Sequence, residues 1–283
     1  LRRTDGPLAA DAPNLLPRVA MLSYKSAGGR SPGAGIRAAA AVALLMAAAN
    51  VLDDLHDEPR AYSQEEAASE CDTVCALLLL SGRALHGTRE LGVESDRVMA
   101  AHEMANYATL RALAGEVADV EASGAANLSV DEAFRITQEK AGALGRLAGC
   151  IGAALASKKE DVIQAHGDFG FHMAVVGQLI NDVSAVRPGG SPSTDLELFR
   201  KTPPIAFALS LPSGVNRFAD EVRRAYSSKG SHDEEVEALR EGVSRSGGVH
   251  YVWMRAAGHR AQAIETARRI SEVCPDSELT SVF

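Results

Sequence analysis

The chain has 283 residues, of which 46% are hydrophobic and 23% are charged, so it can build a large core and is not disordered as a whole. Its 37 acidic residues outnumber 29 lysines and arginines, which gives a net charge of −8. Because nucleic-acid backbones are bound by basic patches, this balance argues against nucleic acid as the main partner.

Proline placement indicates the fold class. Residues 60–187 contain no proline and are rich in alanine. Alanine is the best helix former, whereas an interior proline costs about 3 kcal/mol, so the chain is predicted to be all-α. Residues 1–33 hold four prolines and a Gly/Ser-rich stretch, and are predicted to be a loosely ordered N-terminal segment that allows a short apolar helix near residues 15–24. Residues 34–283 are predicted to form a single all-α domain.

The helices are predicted from apolar patterns, capping residues and breakers. A capping box from Ser129 to Glu132 marks the start of one helix. The apolar run Cys75–Leu80 predicts a helix that is buried on all sides at the centre of a bundle. In chain order, the predicted helices are 36–57, 63–87, 95–121, 129–156, 159–186, 204–210, 214–228, 232–246 and 248–273.

Cysteine usage and apolar run length bear on the compartment. Four cysteines are too few for a disulfide scaffold in a chain of this size, and no signal peptide is recognised, so a cytoplasmic location is expected. Cys71 and Cys75 have no second pair at metal-site spacing and are predicted to be buried structural residues. The longest apolar run, Ala38–Ala49, is shorter than the roughly 20 residues that a membrane span needs. No membrane span is therefore predicted.

The sharpest motif is Asp53-Asp54-Leu55-His56-Asp57, at the C-terminal end of an apolar helix. Asp53 and Asp57 share a helix face, and carboxylates at this end oppose both each other and the helix dipole. A cation is therefore expected there. Mg²⁺ takes oxygen ligands and is usually shared between carboxylates and substrate phosphates. The motif predicts Mg²⁺ ligands, with a solvated acidic helix end as the alternative.

A second polar group is predicted late in the helix over residues 159–186, at Gln178, Asn181 and Asp182. The apolar neighbours of these residues imply burial. Buried polar groups must be hydrogen-bonded or bound to metal, so this group is a second candidate metal site.

Basic residues follow the next loop. Arg200, Lys201 and Thr202 stand directly before Pro203-Pro204 and a short apolar helix. Basic side chains just ahead of a helix start are well placed to meet an anion, because the backbone N–H groups there point outward. These residues are therefore candidates for binding an anionic substrate.

Taken in order, these segments resemble the motifs of the trans-isoprenyl diphosphate synthase (polyprenyl synthetase) family of the class I terpenoid synthase superfamily, over roughly residues 25–275. The first aspartate-rich motif is matched at Asp53, Asp54 and Asp57, and the second resembles residues 178–182. Three further segments resemble the family's G-Q-x-x-D, K-T and D-L-x-x-G-K-x-T-x-P motifs: Gly115 to Asp119, with Glu116 in place of Gln; Lys140-Ala141, with Ala in place of Thr; and Asp195 to Pro204.

The resemblance implies a bundle of long antiparallel helices around a deep apolar pocket, the isoprenoid synthase fold. It also implies a homodimer in which about three Mg²⁺ ions and cationic side chains hold a prenyl diphosphate and assist ionisation of its allylic C–O bond. The implied metal ligands are Asp53, Asp54, Asp57, Asn181 and Asp182; the implied catalytic residues are the first three of these with Lys140 and Arg200; and the implied substrate contacts are Arg37, Arg60, Gln178, Lys201, Thr202, Ala48 and Ala49.

Three departures from the family bear on the reaction. The G-K-x-x-R motif, which in chain-elongating members binds isopentenyl diphosphate, is matched only by Arg37 within residues 33–37. The paired arginines after the first acidic motif are reduced to Arg60, and the last carboxylate of the second motif is replaced by Ala185. The half of the site for the leaving diphosphate is largely kept, whereas the half for isopentenyl diphosphate is largely lost.

This pattern favours a terpene synthase or cyclase on a prenyl synthase scaffold. The alternatives are prenyl transfer to a non-isoprenoid acceptor, chain elongation to a polyprenyl diphosphate, and a non-catalytic regulatory subunit, which the intact first motif disfavours. Aromatic residues make up only 5% of the chain, which counts against cyclisation because cation–π contacts steer such cations. The candidates for lining the pocket, or alternatively for plain core, are Phe134, Phe169, Phe171, Phe207 and Trp253.

Pocket depth is predicted from the residues ahead of the first acidic motif. Elongating relatives shorten the cavity with bulky side chains four and five positions before the first aspartate, where this chain has Ala49 and Ala48. The floor is therefore predicted to be open, and a C15 to C25 substrate to fit better than C10. The alternative is that these alanines serve only helix formation.

Overall fold

The computed structural model describes residues 15–57, 62–124, 128–187, 196, 200–228 and 233–274, with no strand among them. This confirms the prediction of an all-α fold. The elements are α1 Leu15–Ser26, α2 Pro32–Asp57, α3 Gln64–His86, a 3₁₀ turn Gly87–Leu91, α4 Ser95–Gly124, α5 Val130–Thr137, a π-helical segment Gln138–Gly142, α6 Ala143–Ala156, α7 Glu160–Ala185, α8 Pro203–Ser210, α9 Arg217–Ser228, α10 Asp233–Ser246 and α11 Gly248–Val273.

α1 is the short apolar helix that the sequence allowed near residues 15–24, and it is part of the core, so these residues are not loosely ordered. Leu16 and Tyr24 are buried in the main apolar core. Pro17 does not prevent the helix, because the first four N–H groups of any helix lack an intrahelical partner. Residues 1–14 lie outside the described residues.

Two capping boxes fix the starts of α3 and α5. As predicted, the Ser129 hydroxyl accepts a hydrogen bond from the Glu132 backbone N–H, while the Glu132 carboxylate accepts one from the Ser129 N–H. Ser63 and Glu66 make the same pair of bonds at the start of α3. The helix predicted over 129–156 is present as α5, the π-helical segment and α6 in direct succession. The irregular turn in its middle contains the candidate site residue Lys140.

Glycines bring α6 and α7 into backbone contact. A Cβ on Gly145 would overlap the carbonyl of Gly170, and a Cβ on Gly149 would overlap the carbonyl of His166. α7 packs on its other side against α11, and the π-helical segment packs against both α4 and α7. The close approach of α6 and α7 therefore brings Lys140, which lies just before α6, to the same end of the bundle as Gln178 and Asp182, which lie late in α7.

The apolar core has two main parts. The larger one joins α1, α2, α4, α6 and α7, and includes Leu147, Ile151 and Phe169. A smaller one joins α8, α9 and α10 around Ile205 and Leu239. Each fully buried side chain of this size contributes roughly 1.5–3 kcal/mol, so the helices that frame the candidate site are held in place from behind.

Helix α3 is not buried on all sides, contrary to the prediction for Cys75–Leu80. Leu79 and Leu80 are 76% and 50% exposed, and Cys71 and Cys75 are exposed as well. Composition alone does not separate a helix that its own chain buries from one that leaves an apolar face at the surface. α4 also carries exposed apolar side chains. We use the name α3/α4 apolar surface for the exposed apolar residues of these two helices: Leu79, Leu80, Met99, Tyr107, Leu110 and Val117.

One helix of the described part of the chain is long and apolar enough to cross a membrane. It covers residues Pro32–His56, and a third of its most apolar stretch is buried. The apolar run Ala38–Ala49 therefore understated the length of this apolar helix. By length and composition alone, the helix could cross a membrane. In the structure this helix, α2, packs against α1 and α3, and its C-terminal half lines the cavity described next.

Candidate active site

A cavity of about 240 Å³ opens between α2, α4, α5, the π-helical segment and α7. Its charged end is formed by side chains from four elements and from the segment before α8: Asp53, Glu116, Asp119, Lys140, Asp182 and Arg200. Its other walls are apolar and include Leu45, Ala48, Leu78, Leu113, Ile136 and Leu144. The predicted combination of an apolar pocket with a polar end is therefore present.

Lys140 lies at the centre of the charged end. Its Nζ lies 2.6 Å from Asp53 Oδ1, 2.7 Å from Glu116 Oε2 and 3.0 Å from Asp119 Oδ2. Burial alone would lower the pKa of Lys140, but the surrounding carboxylates, Asp53 and Asp119 foremost, outweigh it and raise the pKa above its usual value. The ammonium therefore stays charged and is held by residues from α2 and α4 together.

Backbone packing sets the position of Lys140. The residue lies in the π-helical segment, an irregularity that occurs frequently at functional sites. Gly115 of α4 lies directly against the backbone of Glu139 and Lys140, where a Cβ would meet backbone atoms at 2.9–3.2 Å. Glu116 and Asp119 follow on the same helix, so this contact brings both carboxylates to Lys140.

Arg200 is the second cation of the site. Its Nη1 donates to Asp119 Oδ2 at 2.8 Å, so Asp119 bridges Arg200 and Lys140. Burial lowers the pKa of Arg200, which Asp53 opposes, and a guanidinium remains charged in any case. Lys201 and Thr202 also line the cavity. The basic segment predicted from the sequence thus reaches the pocket.

Glu116 is the most buried of the three acids that contact Lys140. Its side chain is 8% exposed, and burial raises the pKa of the carboxyl although Lys140 opposes this shift. One oxygen contacts Lys140; the other, Oε1, lies 3.6 Å from His56 Nδ1 and accepts no hydrogen bond from the described residues. Glu116 and Asp119 were not among the predicted site residues, although the match of Gly115 to Asp119 to a family motif was a signal for them.

The second acidic motif is only partly brought to the cavity. Asp182 of α7 is 3% exposed, and its Oδ1 accepts a hydrogen bond of 2.9 Å from Gln178 Nε2. Both side chains line the pocket. Asn181 is exposed, because neighbouring residues on a helix point in different directions.

The first acidic motif ends α2. Asp53 lines the cavity, Asp54 is exposed, and the side chain of Asp57 lies outside the described residues, as does Arg60. In the described part of the chain, no three acidic, histidine or cysteine side chains are grouped so as to hold a metal by themselves. The donors nevertheless fit Mg²⁺, because Asp53 and Asp182 supply hard carboxylate oxygens from two helices. Mg²⁺ usually binds one or two carboxylates together with substrate phosphates.

Ala48 and Ala49 line the apolar part of the cavity, as predicted. Ala48 is buried and lies about 7 Å from Asp53 along the axis of α2. The cavity continues past it to Leu45, about 12 Å from Asp53, and to Leu78 of α3. A small side chain at position 48 therefore leaves the lower part of the cavity open.

Arg37 does not reach the site, which corrects its prediction as a substrate contact. It lies four turns before Asp53 on α2, about 24 Å away along the axis. Its guanidinium packs against Gly87 and lies 3.3 Å from Glu90 Oε2. The partial match of residues 33–37 to an acceptor-binding motif therefore does not bring Arg37 to the described cavity.

The aromatic candidates do not line the cavity in the described structure. Phe134 and Phe169 are fully buried in the core, and Trp253 is 46% exposed. Phe171 packs against Gly142, and Phe207 stacks on Tyr251. The alternative of plain core therefore holds for the two buried residues, and the cavity walls are aliphatic.

Comparison with known proteins agrees with this site. The family model for polyprenyl synthetase matches residues 14–243. The chain belongs to the polyprenyl synthetase family. Among the curated relatives of this polyprenyl synthetase is the (2E,6E)-farnesyl diphosphate synthase of Mycobacterium tuberculosis. The two are 28% identical over 255 residues, and the alignment covers 86% of this chain and 70% of that protein. The same protein of Mycobacterium bovis matches equally well.

Solved structures share the fold. A geranylgeranyl pyrophosphate synthase aligns with a TM-score of 0.80 at 18% identity, over 99% of this chain and 91% of that one. A polyprenyl synthetase from Streptomyces coelicolor aligns with a TM-score of 0.77 at 22% identity, over 95% and 83%. A polyprenyl synthase from Caulobacter crescentus, solved with calcium and isoprenyl diphosphate, aligns with a TM-score of 0.77 at 21% identity, over 94% and 84%.

Membership in the family identifies this polyprenyl synthetase as an enzyme of the prenyltransferase type. A prenyl diphosphate substrate is consistent with the family, whose enzymes use Mg²⁺ with such substrates. The hypothesis of a non-catalytic subunit is set aside. The curated relatives are named as farnesyl diphosphate synthases, so the comparisons favour chain elongation over the terpene cyclase that the motifs favoured.

Proposed function

We propose that the protein is a Mg²⁺-dependent prenyltransferase that ionises an allylic prenyl diphosphate and joins the prenyl group to isopentenyl diphosphate. The observation that carries this proposal is the pairing of two cations, the partly buried Lys140 and the buried Arg200, with carboxylates at the charged end of an aliphatic cavity. The names of the relatives support elongation as the outcome.

In this proposal the substrate tail lies along α2 and α4, and its diphosphate lies at the charged end. Lys140 and Arg200 stabilise the negative charge that develops on the leaving diphosphate as the C–O electron pair moves to oxygen. Asp53 and Asp182, with Asp54 and Asp57 on the same helix end as Asp53, would hold Mg²⁺, which when bound neutralises charge on the diphosphate. The aliphatic walls keep water away from the allylic cation.

A second candidate is a terpene synthase that forms a hydrocarbon or alcohol without isopentenyl diphosphate. It is favoured by the position of Arg37, far from the cavity, which leaves Lys140, Arg200 and Lys201 as the cations that line the described pocket. Three cations suit a reaction with one diphosphate substrate better than a reaction with two diphosphate substrates.

The test is incubation of purified protein with Mg²⁺ and farnesyl, geranylgeranyl or geranylfarnesyl diphosphate, with and without labelled isopentenyl diphosphate, followed by mass spectrometry. Longer diphosphates that appear only with isopentenyl diphosphate support elongation. Hydrocarbon or alcohol formed without it supports the terpene synthase. If no substrate releases diphosphate under either condition, both candidates fail.

We also propose that two copies of the chain associate through the α3/α4 apolar surface. Patches of this kind mark interaction sites, because single exposed apolar residues are common but contiguous ones are not. Met99, Tyr107, Leu110 and Val117 recur along one face of α4, and all four are at least half exposed. We propose a second copy of the chain as the partner, because a two-fold axis brings the same face of both copies together and their apolar side chains then cover each other.

A further inference from the structure

Glu116 is a charged residue at the position where the family resemblance has a neutral glutamine. It is buried, it contacts Lys140 at 2.7 Å, and it lines the cavity between Leu113 and Asp119 on α4. The inference below rests on the proposed function and deepens it.

The Lys140 ammonium is surrounded by carboxylates: it donates hydrogen bonds to Asp53 and Asp119, and it lies 2.7 Å from Glu116 Oε2. A lysine head group has three N–H donors, and here three carboxylate oxygens surround it at 2.6–3.0 Å. A diphosphate oxygen could therefore be bound by Lys140 only after one of these carboxylates has moved away. With a glutamine at position 116, one of the three partners would be neutral and its hydrogen bond weaker.

The three carboxylates differ in how easily they can be released. Asp53 is 39% exposed and lies at the end of α2, in the motif that the proposed function assigns to Mg²⁺. Glu116 is 8% exposed, and Asp119 is also bound to Arg200. Asp53 is therefore the partner that leaves, while the two acids on α4 keep the ammonium in place.

We infer that Glu116 is a positioning residue that ties Lys140 to α4 and, together with Asp119, makes the binding of a diphosphate by Lys140 conditional on the withdrawal of Asp53. The negative charge of Glu116 also opposes an anion at this end of the cavity. Both effects keep a diphosphate out until a divalent cation has engaged Asp53. The hydrogen bond itself holds Lys140 in position afterwards.

Two substitutions separate these two effects. Glu116→Gln removes the charge and keeps an oxygen that accepts a hydrogen bond from Lys140. It is therefore expected to weaken the exclusion of a diphosphate but to keep Lys140 in position. Glu116→Leu removes both. We expect both variants to bind inorganic pyrophosphate more tightly than the wild type when metal is absent, by at least about five-fold in Kd, since one charge-assisted bond and one repulsion are lost.

For Glu116→Leu, turnover is expected to fall although pyrophosphate binding becomes tighter. With saturating Mg²⁺ and a prenyl diphosphate, Glu116→Leu is expected to lose at least about ten-fold in kcat, whereas Glu116→Gln stays within about three-fold of the wild type. A merely structural defect would weaken pyrophosphate binding and turnover together. Tighter metal-free binding alongside slower turnover is therefore specific to the proposed role.

The experiment is calorimetric titration of the full chain with pyrophosphate in EDTA, at fixed ionic strength, together with steady-state kinetics in Mg²⁺. The matched control is Glu103→Gln, which removes one exposed charge from the same helix and is expected to change neither quantity. Thermal melts establish that each variant is folded; if Glu116→Leu does not fold, Glu116→Gln still carries the binding test.

The inference is overturned if Glu116→Gln, without metal, binds pyrophosphate no more tightly than the wild type does. It is also overturned if a folded Glu116→Leu keeps the kcat of the wild type. The titration needs no turnover. If the wild type is inactive on every prenyl diphosphate, the proposed function fails while the binding result for Glu116 still stands or falls by itself.

Discussion

Gly115 and Lys140 are in contact through their backbones: a Cβ on Gly115 would lie 2.9 Å from the Lys140 nitrogen and 3.0 Å from the carbonyl carbon of Glu139. Only glycine allows this approach. Through it, the register between α4 and the π-helical segment is fixed, and with it the distances from Lys140 to Glu116 and Asp119.

We expect Gly115→Ala to damage the site more than the fold. The added methyl group must push the backbone of Lys140 away, which lengthens contacts that are now 2.7 and 3.0 Å. A loss of about ten-fold or more in kcat/KM is expected, since a misplacement of 1 Å can cost as much as a hundred-fold. Steady-state kinetics and a thermal melt measure the two effects.

The control for this change is Gly258→Ala on α11. No atom lies within 4 Å of a Cβ at Gly258, so the methyl group is free of overlap. Alanine in the middle of a helix is more stable than glycine by roughly 0.5–1 kcal/mol, so Tm should rise slightly and activity should be unchanged. Equal kinetics for the Gly115 and Gly258 variants would show that the α4 contact does not set the geometry of the site.

Asp53→Asn is expected to reduce turnover by about a hundred-fold or more without unfolding the protein. The change removes a carboxylate that contacts Lys140 at 2.6 Å and that the proposed function assigns to Mg²⁺. The dependence of rate on Mg²⁺ concentration should shift upward. Asp72→Asn, at an exposed position of α3, is the matched control. Near-normal rates in Asp53→Asn would place the metal site elsewhere.

Ala48→Phe is expected to shift the preferred chain length downward. Ala48 is buried and lines the cavity about 7 Å from Asp53, so a benzyl group there would close off the part that reaches Leu45 and Leu78. Product analysis by mass spectrometry measures the shift. Ala43→Phe places the same group on an exposed part of α2 and should leave the products unchanged. The same product profile in both variants would dissociate position 48 from chain length.

The sequence predicted helix types and order well, because proline spacing, alanine content and capping boxes such as Ser129–Glu132 act locally. It also predicted that Asp53, Lys140 and Asp182 belong to one site, and they line the same cavity, although this prediction came only through the resemblance to a family. Local patterns carry no information on packing between helices. The exposure of Leu79 and the contact of Gly115 with Lys140 both depend on which helices lie side by side, and neither could be predicted.

Arg37 illustrates the same limit and gives a further prediction. Because Arg37 pairs with Glu90 about 24 Å from Asp53, Arg37→Ala is expected to leave the KM for isopentenyl diphosphate within about two-fold of the wild type. Kinetics at varied isopentenyl diphosphate, with allylic substrate saturating, measure it. The exposed pair itself is worth at most about 1 kcal/mol, so Tm should change little. An increase of ten-fold or more in this KM would restore Arg37 to the acceptor site.

Leu110→Asp is expected to break the proposed association of two copies. Leu110 is 66% exposed on α4, and a charge there would be buried without a partner once the α3/α4 apolar surface is covered. Light scattering coupled to size exclusion should give a dimer for the wild type and a monomer for the variant. Since α4 also carries Glu116 and Asp119, loss of the partner should lower activity as well.

The control is Val215→Asp. Val215 is 73% exposed, and lies in the turn between α8 and α9, away from α3 and α4 in the chain, so it should leave the mass unchanged. If the wild type is monomeric at micromolar concentration, or if Leu110→Asp stays dimeric, the α3/α4 apolar surface is not the interface. A dimer that survives Leu110→Asp and dissociates in Val215→Asp would instead place the contact on the C-terminal helices.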